Sequence, residues 1–138
     1  MGENTDAVGE ISERLRPLSQ RAELQLVILF GSQASGEARS ESDIDLAILG
    51  EGPLDLTPLT AEAIRLLKTS RVDLVDLYRA SPLLKREVVR KGKLLYEKRP
   101  GAYLDFSSLA VRRYIDTQKL RDARKDAIER FLEQRGLA

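Results

Sequence analysis

Four short apolar runs punctuate the chain, and helical stripes separate most of them. Val8, Ile11, Leu15 and Leu18 recur at helical spacing, so the first segment reads as a helix capped by Thr5 and ended by Pro17. Residues 25–30 (QLVILF) are aliphatic without alternation, the pattern of a strand buried on both faces. Residues 31–42 are small and polar, a loop or one short helix, and residues 44–49 (IDLAIL) form a second strand ended by Gly50, Gly52 and Pro53. Thr57-Pro58 reads as a cap with proline at the first helical position. Leu59, Ala63, Leu66 and Leu67 then face inward along a helix to about Thr69. Residues 72–77 (VDLVDL) are a third strand. Ser81-Pro82 repeats the cap and proline ahead of a helix that Gly92 can stop, and residues 93–96 (KLLY) are a short fourth strand. After the Arg99-Pro100-Gly101 turn, residues 103–134 contain no proline or glycine and read as helix, either continuous or broken once. This order predicts an α/β (α+β) fold around one small mixed sheet flanked by helices. The expected core covers about residues 20–98 and a C-terminal helical extension about 102–136, all within one domain spanning 1–138.

At 138 residues, such a chain has room for one core. It contains neither cysteine nor histidine, which excludes disulfides, thiol nucleophiles, zinc–thiolate sites and any triad that uses imidazole. Catalysis would fall mainly to Asp, Glu, Lys, Arg, Tyr, Ser and Thr, and oxygen-only ligands select hard cations such as magnesium or manganese. Charge is unevenly placed: residues 1–60 carry 4 basic and 11 acidic side chains, and residues 61–138 carry 19 and 11. The basic half suits nucleic acid, phosphate or an acidic partner, or is simply a solvated face. Residues 112–135, with eight basic and five acidic side chains, read first as a salt-bridged surface helix. Phe106, Leu109, Tyr114, Leu120, Ile128 and Phe131 are core or interface positions. Lys85, Arg86, Lys91 and Lys93 either reach phosphates or stand solvated. The longest apolar run is too short to span a bilayer and the N-terminus is polar, so the expected location is the cytoplasm.

One constellation carries chemistry: Phe30-Gly31-Ser32, ten residues, then Asp43-Ile44-Asp45. Gly31 lets the backbone turn tightly after a buried strand. The amide groups there, with the Ser32 hydroxyl, can hold phosphate oxygens. Asp43 and Asp45 share one face by strand alternation, and two neighbouring carboxylates repel unless a divalent cation lies between them. A third carboxylate should come from the neighbouring strand. Asp73 heads a face with Val75 and Leu77, as Asp45 heads one with Ala47 and Leu49. Asp73 is therefore preferred to Asp76, and substitution of Asp76 is expected to be mild. Three carboxylates can hold two metal ions.

The pattern GS-x10-DID followed by VDLVDL resembles the minimal nucleotidyltransferases of the DNA polymerase β superfamily. More closely, the run from Val27 to Glu97 is similar to the MNT antitoxin family, partners of HEPN-domain toxins. Ser81-Pro82-Leu83-Leu84-Lys85-Arg86, Gly92 to Glu97 and the helix opening Tyr103-Leu104-Asp105-Phe106 fit it too. The resemblance implies a mixed sheet with helices on one side, and Mg-dependent transfer of AMP from ATP to a tyrosine of a HEPN ribonuclease, which neutralises it. Two magnesium ions are expected, with manganese as the alternative. Under it Gly31 and Ser32 would hold the triphosphate, Asp43 and Asp45 would bind both metals, and Asp73 would complete the metal site or act as base. Ser35 stands where many relatives have arginine; Arg39 either substitutes for that phosphate contact or is a solvated loop residue. A hetero-oligomer with the toxin is expected, without membrane association or direct DNA binding. Two alternatives stay open: an idle antitoxin acting by contact, and a small-molecule nucleotidyltransferase.

Overall fold

A computed structural model describes residues 3–31 and 43–136, with side chains from residue 7 onward. Ser32, Ser35 and Arg39 lie outside the described residues, and Thr5, expected as a cap, falls inside the first helix, Glu3–Arg14. The chain orders as α1 (Glu3–Arg14), α2 (Arg16–Ser19), β1 (Leu24–Phe30), β2 (Ile44–Gly50), α3 (Leu56–Leu67), β3 (Val72–Asp76), α4 (Pro82–Lys91), β4 (Lys93–Glu97) and α5 (Ala102–Gln134). The four strands form one sheet in the order β3-β2-β1-β4. β2 runs antiparallel to β1 and parallel to β3, and β4 runs antiparallel to β1. The expected mixed α/β architecture is thus present, and all four strands fall within a residue or two of the apolar runs.

The helix boundaries moved for local reasons. Pro17 does not end the first helix; it sits in the opening turn of α2, where its missing N–H costs nothing. Leu15 and Leu18 are nonetheless fully buried, so the apolar stripe runs across the break. In α3 the cap is Asp55, whose carboxylate accepts from Thr57 N at 3.2 Å, so Thr57 and Pro58 lie inside the helix. Ser81 does cap α4, accepting from Leu84 N at 3.2 Å. Gly92 follows α4 with φ −80°, so its need for glycine is spatial: a Cβ there would press on Val88 O and stand 2.6 Å from Ile28 Cγ2.

Helices cover both faces of the sheet, against the expected single side. Leu24, Val27, Leu29, Leu46, Ile48 and Leu74 pack with residues of α1, α2 and α3. Leu26, Ile28, Ala47 and Leu77 pack with Val88 of α4 and with Ala102, Tyr103 and Phe106 of α5. A register shift between Leu24 and Leu26 on β1 puts Leu24 on the same face as Val27.

α5 has 33 residues and is unbroken, about 50 Å of helix. Its first turns hold the sheet and α4; Tyr114 lies between the Arg86 and Arg121 guanidinium groups, at 4.6 and 4.7 Å from its ring centre. Beyond that clamp Leu120, Ile128 and Phe131 are at least half exposed, so they are not core. Among the described residues no ion pair lies within 112–135, so the helix is not salt-bridged as expected. No helix among the described residues is long and apolar enough to cross a membrane.

Asp76 corrects another expectation. It pairs with Ile48 across β2–β3, on the face covered by α3, and is only 6% exposed. Its carboxylate accepts from Leu54 N and Tyr78 N, both at 3.0 Å, tying the loop after β2 to the end of β3. Asparagine would turn an N–H₂ toward one of these donors and strand it. Asp76→Asn should therefore destabilise the fold by about 1–3 kcal/mol, read as a drop of several degrees in melting temperature.

Candidate active site

Three strand ends build the site. β1 and β2 pair so that Phe30 stands opposite Asp45, which places the Gly31 turn against the start of β2. β2 and β3 run parallel with Asp45 in register with Asp73. Residues in register on neighbouring strands project to one face with backbones about 4.8 Å apart. That face also carries Ala47, Leu49 and Leu77, the α4/α5 side. The pairing of Asp45 with Asp73 inferred from alternation is thus what the register produces, and Asp76 is on the other side.

Gly31 has φ +75°, in the left-handed region. A Cβ built on it would collide with the Asp45 carboxylate and come within 3.2 Å of its Cγ. The absence of a side chain at residue 31 is what lets the turn lie on the carboxylate. An anion held by that turn would therefore sit beside Asp45.

Electrostatics mark Asp45 as the centre. Its carboxyl is pushed above the usual 3.8, first by burial, then by the charges of Asp73 and Asp43. Asp43, just ahead of β2, and Asp73 are exposed, so the cluster grades from a half-buried group to a solvated rim. Among the described residues neither Asp45 nor Asp73 forms an ion pair. The donors are all oxygens and their repulsion is uncompensated, which suits a hard divalent cation. Among the described residues no three acidic side chains form a preassembled metal-holding group. Sequence reasoning assembled this edge but missed a cavity further along the same face, lined by Leu49, Leu77, Lys85 and Arg113 among others; its walls come from elements too far apart in the chain to show a local motif.

Strand-end carboxylates beside a glycine turn on a mixed sheet are the layout of a nucleotidyl-transferring enzyme. The chain belongs to the polymerase beta nucleotidyltransferase family, whose model matches residues 13–101. Within it, the chain is 38% identical to a protein adenylyltransferase MntA of Shewanella oneidensis, over 77% of this chain and 75% of that protein. It is 29% identical to a protein adenylyltransferase MntA of Aphanizomenon flos-aquae, over 99% of this chain and all of that one. Among solved structures, a toxin–antitoxin complex with AMP-PNP superposes with a TM-score of 0.71 at 34% identity, covering 88% of this chain and 98% of the other. An MNT antitoxin bound to a tri-AMPylated Shewanella oneidensis HEPN toxin does so with 0.65 at 32%, covering 91% and 98%. The resemblance drawn from Gly31-Ser32 and Asp43-Ile44-Asp45 is borne out at the level of family and fold.

Two outcomes test this electrostatic account. Asp45 binds its proton more tightly folded than unfolded, so folding takes up a proton between the two pKa values. Its contribution to stability then falls as pH rises through that window, above about 3.8, and the penalty is complete beyond the folded value. Asp45→Asn should raise the melting temperature at pH 7 and lose that gain below the window, as followed by calorimetry across pH. Gly31→Ala, by contrast, should lower stability at every pH, by about 1 kcal/mol or more, because left-handed backbone and the carboxylate contact both penalise a Cβ.

Proposed function

We propose that the protein is an adenylyltransferase antitoxin that moves AMP from ATP to a hydroxyl, most simply a tyrosine, of a HEPN-domain toxin and thereby silences it. The observation that carries the reading is the in-register Asp45–Asp73 pair with the Gly31 turn laid against it. The chain's likeness to protein adenylyltransferases and to toxin-bound antitoxins over nearly its whole length supports the choice of donor and partner.

The chain's residues divide the work. Gly31 and Ser32, with Arg39 as a further contact, would hold the triphosphate against the start of β2. Asp43, Asp45 and Asp73 would hold magnesium, which when bound neutralises the developing phosphate charge and lowers the pKa of the attacking hydroxyl. Asp73, exposed at the rim beside Asp45, either completes that set or receives the hydroxyl's proton. The acceptor oxygen bonds to the α-phosphorus, the α–β bond breaks and pyrophosphate leaves. The exposed carboxylate edge needs a wall, and the toxin surface supplies one on docking. A small-molecule acceptor would need that wall from a further domain; an idle antitoxin would have no use for unscreened carboxylates that destabilise its own fold.

Incubation of the protein with its co-encoded HEPN toxin, ATP and magnesium should add AMP mass to the toxin. Asp45→Asn and Asp73→Asn should each slow transfer by at least about 100-fold while remaining folded, checked by intact-mass spectrometry. A toxin silenced equally by Asp45→Asn without mass gain would favour action by contact.

A further inference from the structure

The distal half of α5 stands clear of the body. Residues 118–134 span about 25 Å of helix, and every side chain there is exposed except the half-buried Leu132. The helical row that begins with Phe106 and Ala110 against the body continues through Leu120, Arg124, Ile128 and Phe131. Leu120 is 72% exposed, Ile128 51% and Phe131 50%. Asp122, Asp126, Glu129 and Glu133 recur at spacings of four, three and four and form a second row. Set two residues after the first, this row lies about 200° around the axis, on the back of the helix. Lys119 and Arg130 stand beside the acidic row, and no acid stands in the apolar one.

The cations of the apolar row lack acidic partners. Arg121 lies over Tyr114 and donates to Thr117 Oγ1 at 3.0 Å. Arg124 and Lys125 have no ion-pair partner among the described residues. With Arg121 and Ile128 they line a shallow hollow of about 370 Å³ whose one acid is Glu129. Arg135 stacks on Phe131, 3.8 Å from its ring centre, and adds a further cation to the row. Such a row is matched by a face that is both apolar and acidic. A second copy does not supply one. Two arms laid row to row set cations against cations, since neither row holds an acid. Among the described residues the acidic stretch 1–60 exposes no large apolar side chain. Nucleic acid supplies negative charge but leaves Leu120, Ile128 and Phe131 wet. An amphipathic helix of a protein partner, with Asp or Glu flanking its aliphatic side chains, supplies both.

We propose that the distal half of α5 is a docking arm for an acidic, apolar helical face on the acceptor protein. The choice of that protein rests on the adenylyltransferase reading above; the charge and shape of the face it must offer rest on the arm. Leu120 and Phe131 supply the apolar contact, and Arg124 and Lys125 select the acidic partner and speed the encounter. The arm holds the acceptor and takes no part in the chemistry, so its loss costs affinity for the protein acceptor and not the rate of transfer once it is bound.

The test is calorimetric titration of the co-encoded HEPN toxin into the full chain carrying Asp45→Asn, which blocks transfer and leaves the arm intact. Adding Arg124→Glu/Phe131→Ser should weaken binding about tenfold or more, with the melting temperature unchanged because both side chains are exposed. Adding Asp122→Asn/Glu133→Gln, on the back of the helix, should leave the affinity as it was. With Asp45 restored, ATP and magnesium, Arg124→Glu/Phe131→Ser should raise the KM for toxin about tenfold or more and hold kcat within about twofold. Unchanged affinity in Arg124→Glu/Phe131→Ser, an equal loss in Asp122→Asn/Glu133→Gln, or a fall in kcat at constant KM would each overturn the proposal. So would toxin binding that survives while binding of a single-stranded RNA oligonucleotide is lost. A wild type that binds toxin through the arm yet transfers no AMP would instead sink the adenylyltransferase reading and leave the arm standing.

Discussion

The structure turns on the repulsion among like charges that the parallel pairing of β2 with β3 enforces. Register puts Asp45 opposite Asp73, and the chain just before β2 brings Asp43 to the same edge. Nothing in the core gains from this; burial and charge both oppose ionisation of Asp45. The strain is tolerated because β1 and β2 are the inner strands of the sheet, packed on both faces by buried aliphatic side chains. Buried apolar surface, at roughly 25 cal/mol per Å², supplies stability against which a crowded acidic edge is a small loss. The same edge then gains whatever a bound cation and a triphosphate return to it.

Two aspartates three residues apart in β3 show how face decides role. Asp73 points to the α4/α5 side, where it raises the proton affinity of Asp45. Asp76 points to the α3 side, where two backbone donors satisfy it. One carboxylate is left without compensation and the other is fully employed in the fold. That difference follows from a single step in strand alternation.

Much of this was legible in the sequence, for identifiable reasons. Unbroken aliphatic runs such as residues 25–30 mark inner strands, and alternation alone joined Asp73 to Asp45. The register supports that link because both strands keep regular pairing from their first residues. Boundaries were less legible. Pro17, read as a helix end, sits inside α2, and the cap read at Thr57 is taken by Asp55 two residues earlier. Helices on both faces were missed because amphipathic stripes do not say which face of a sheet they seek. The structural work of Asp76 depends on Leu54 N, 22 residues away, and the cavity lined by Leu49, Leu77, Lys85 and Arg113 on segments spread from β1 to α5; neither leaves a local pattern. The phosphate contacts assigned to Ser32 and Arg39 lie outside the described residues and rest on sequence.

The central claim is that the carboxylate edge is an uncompensated charge cluster which a divalent cation relieves. Thermal unfolding at pH 7 with increasing magnesium, in the absence of nucleotide, measures this directly. Magnesium should raise the melting temperature of the wild type in a saturable manner and leave Asp45→Asn and Asp73→Asn nearly unmoved. Equal shifts in all three proteins, or none in the wild type, would contradict it.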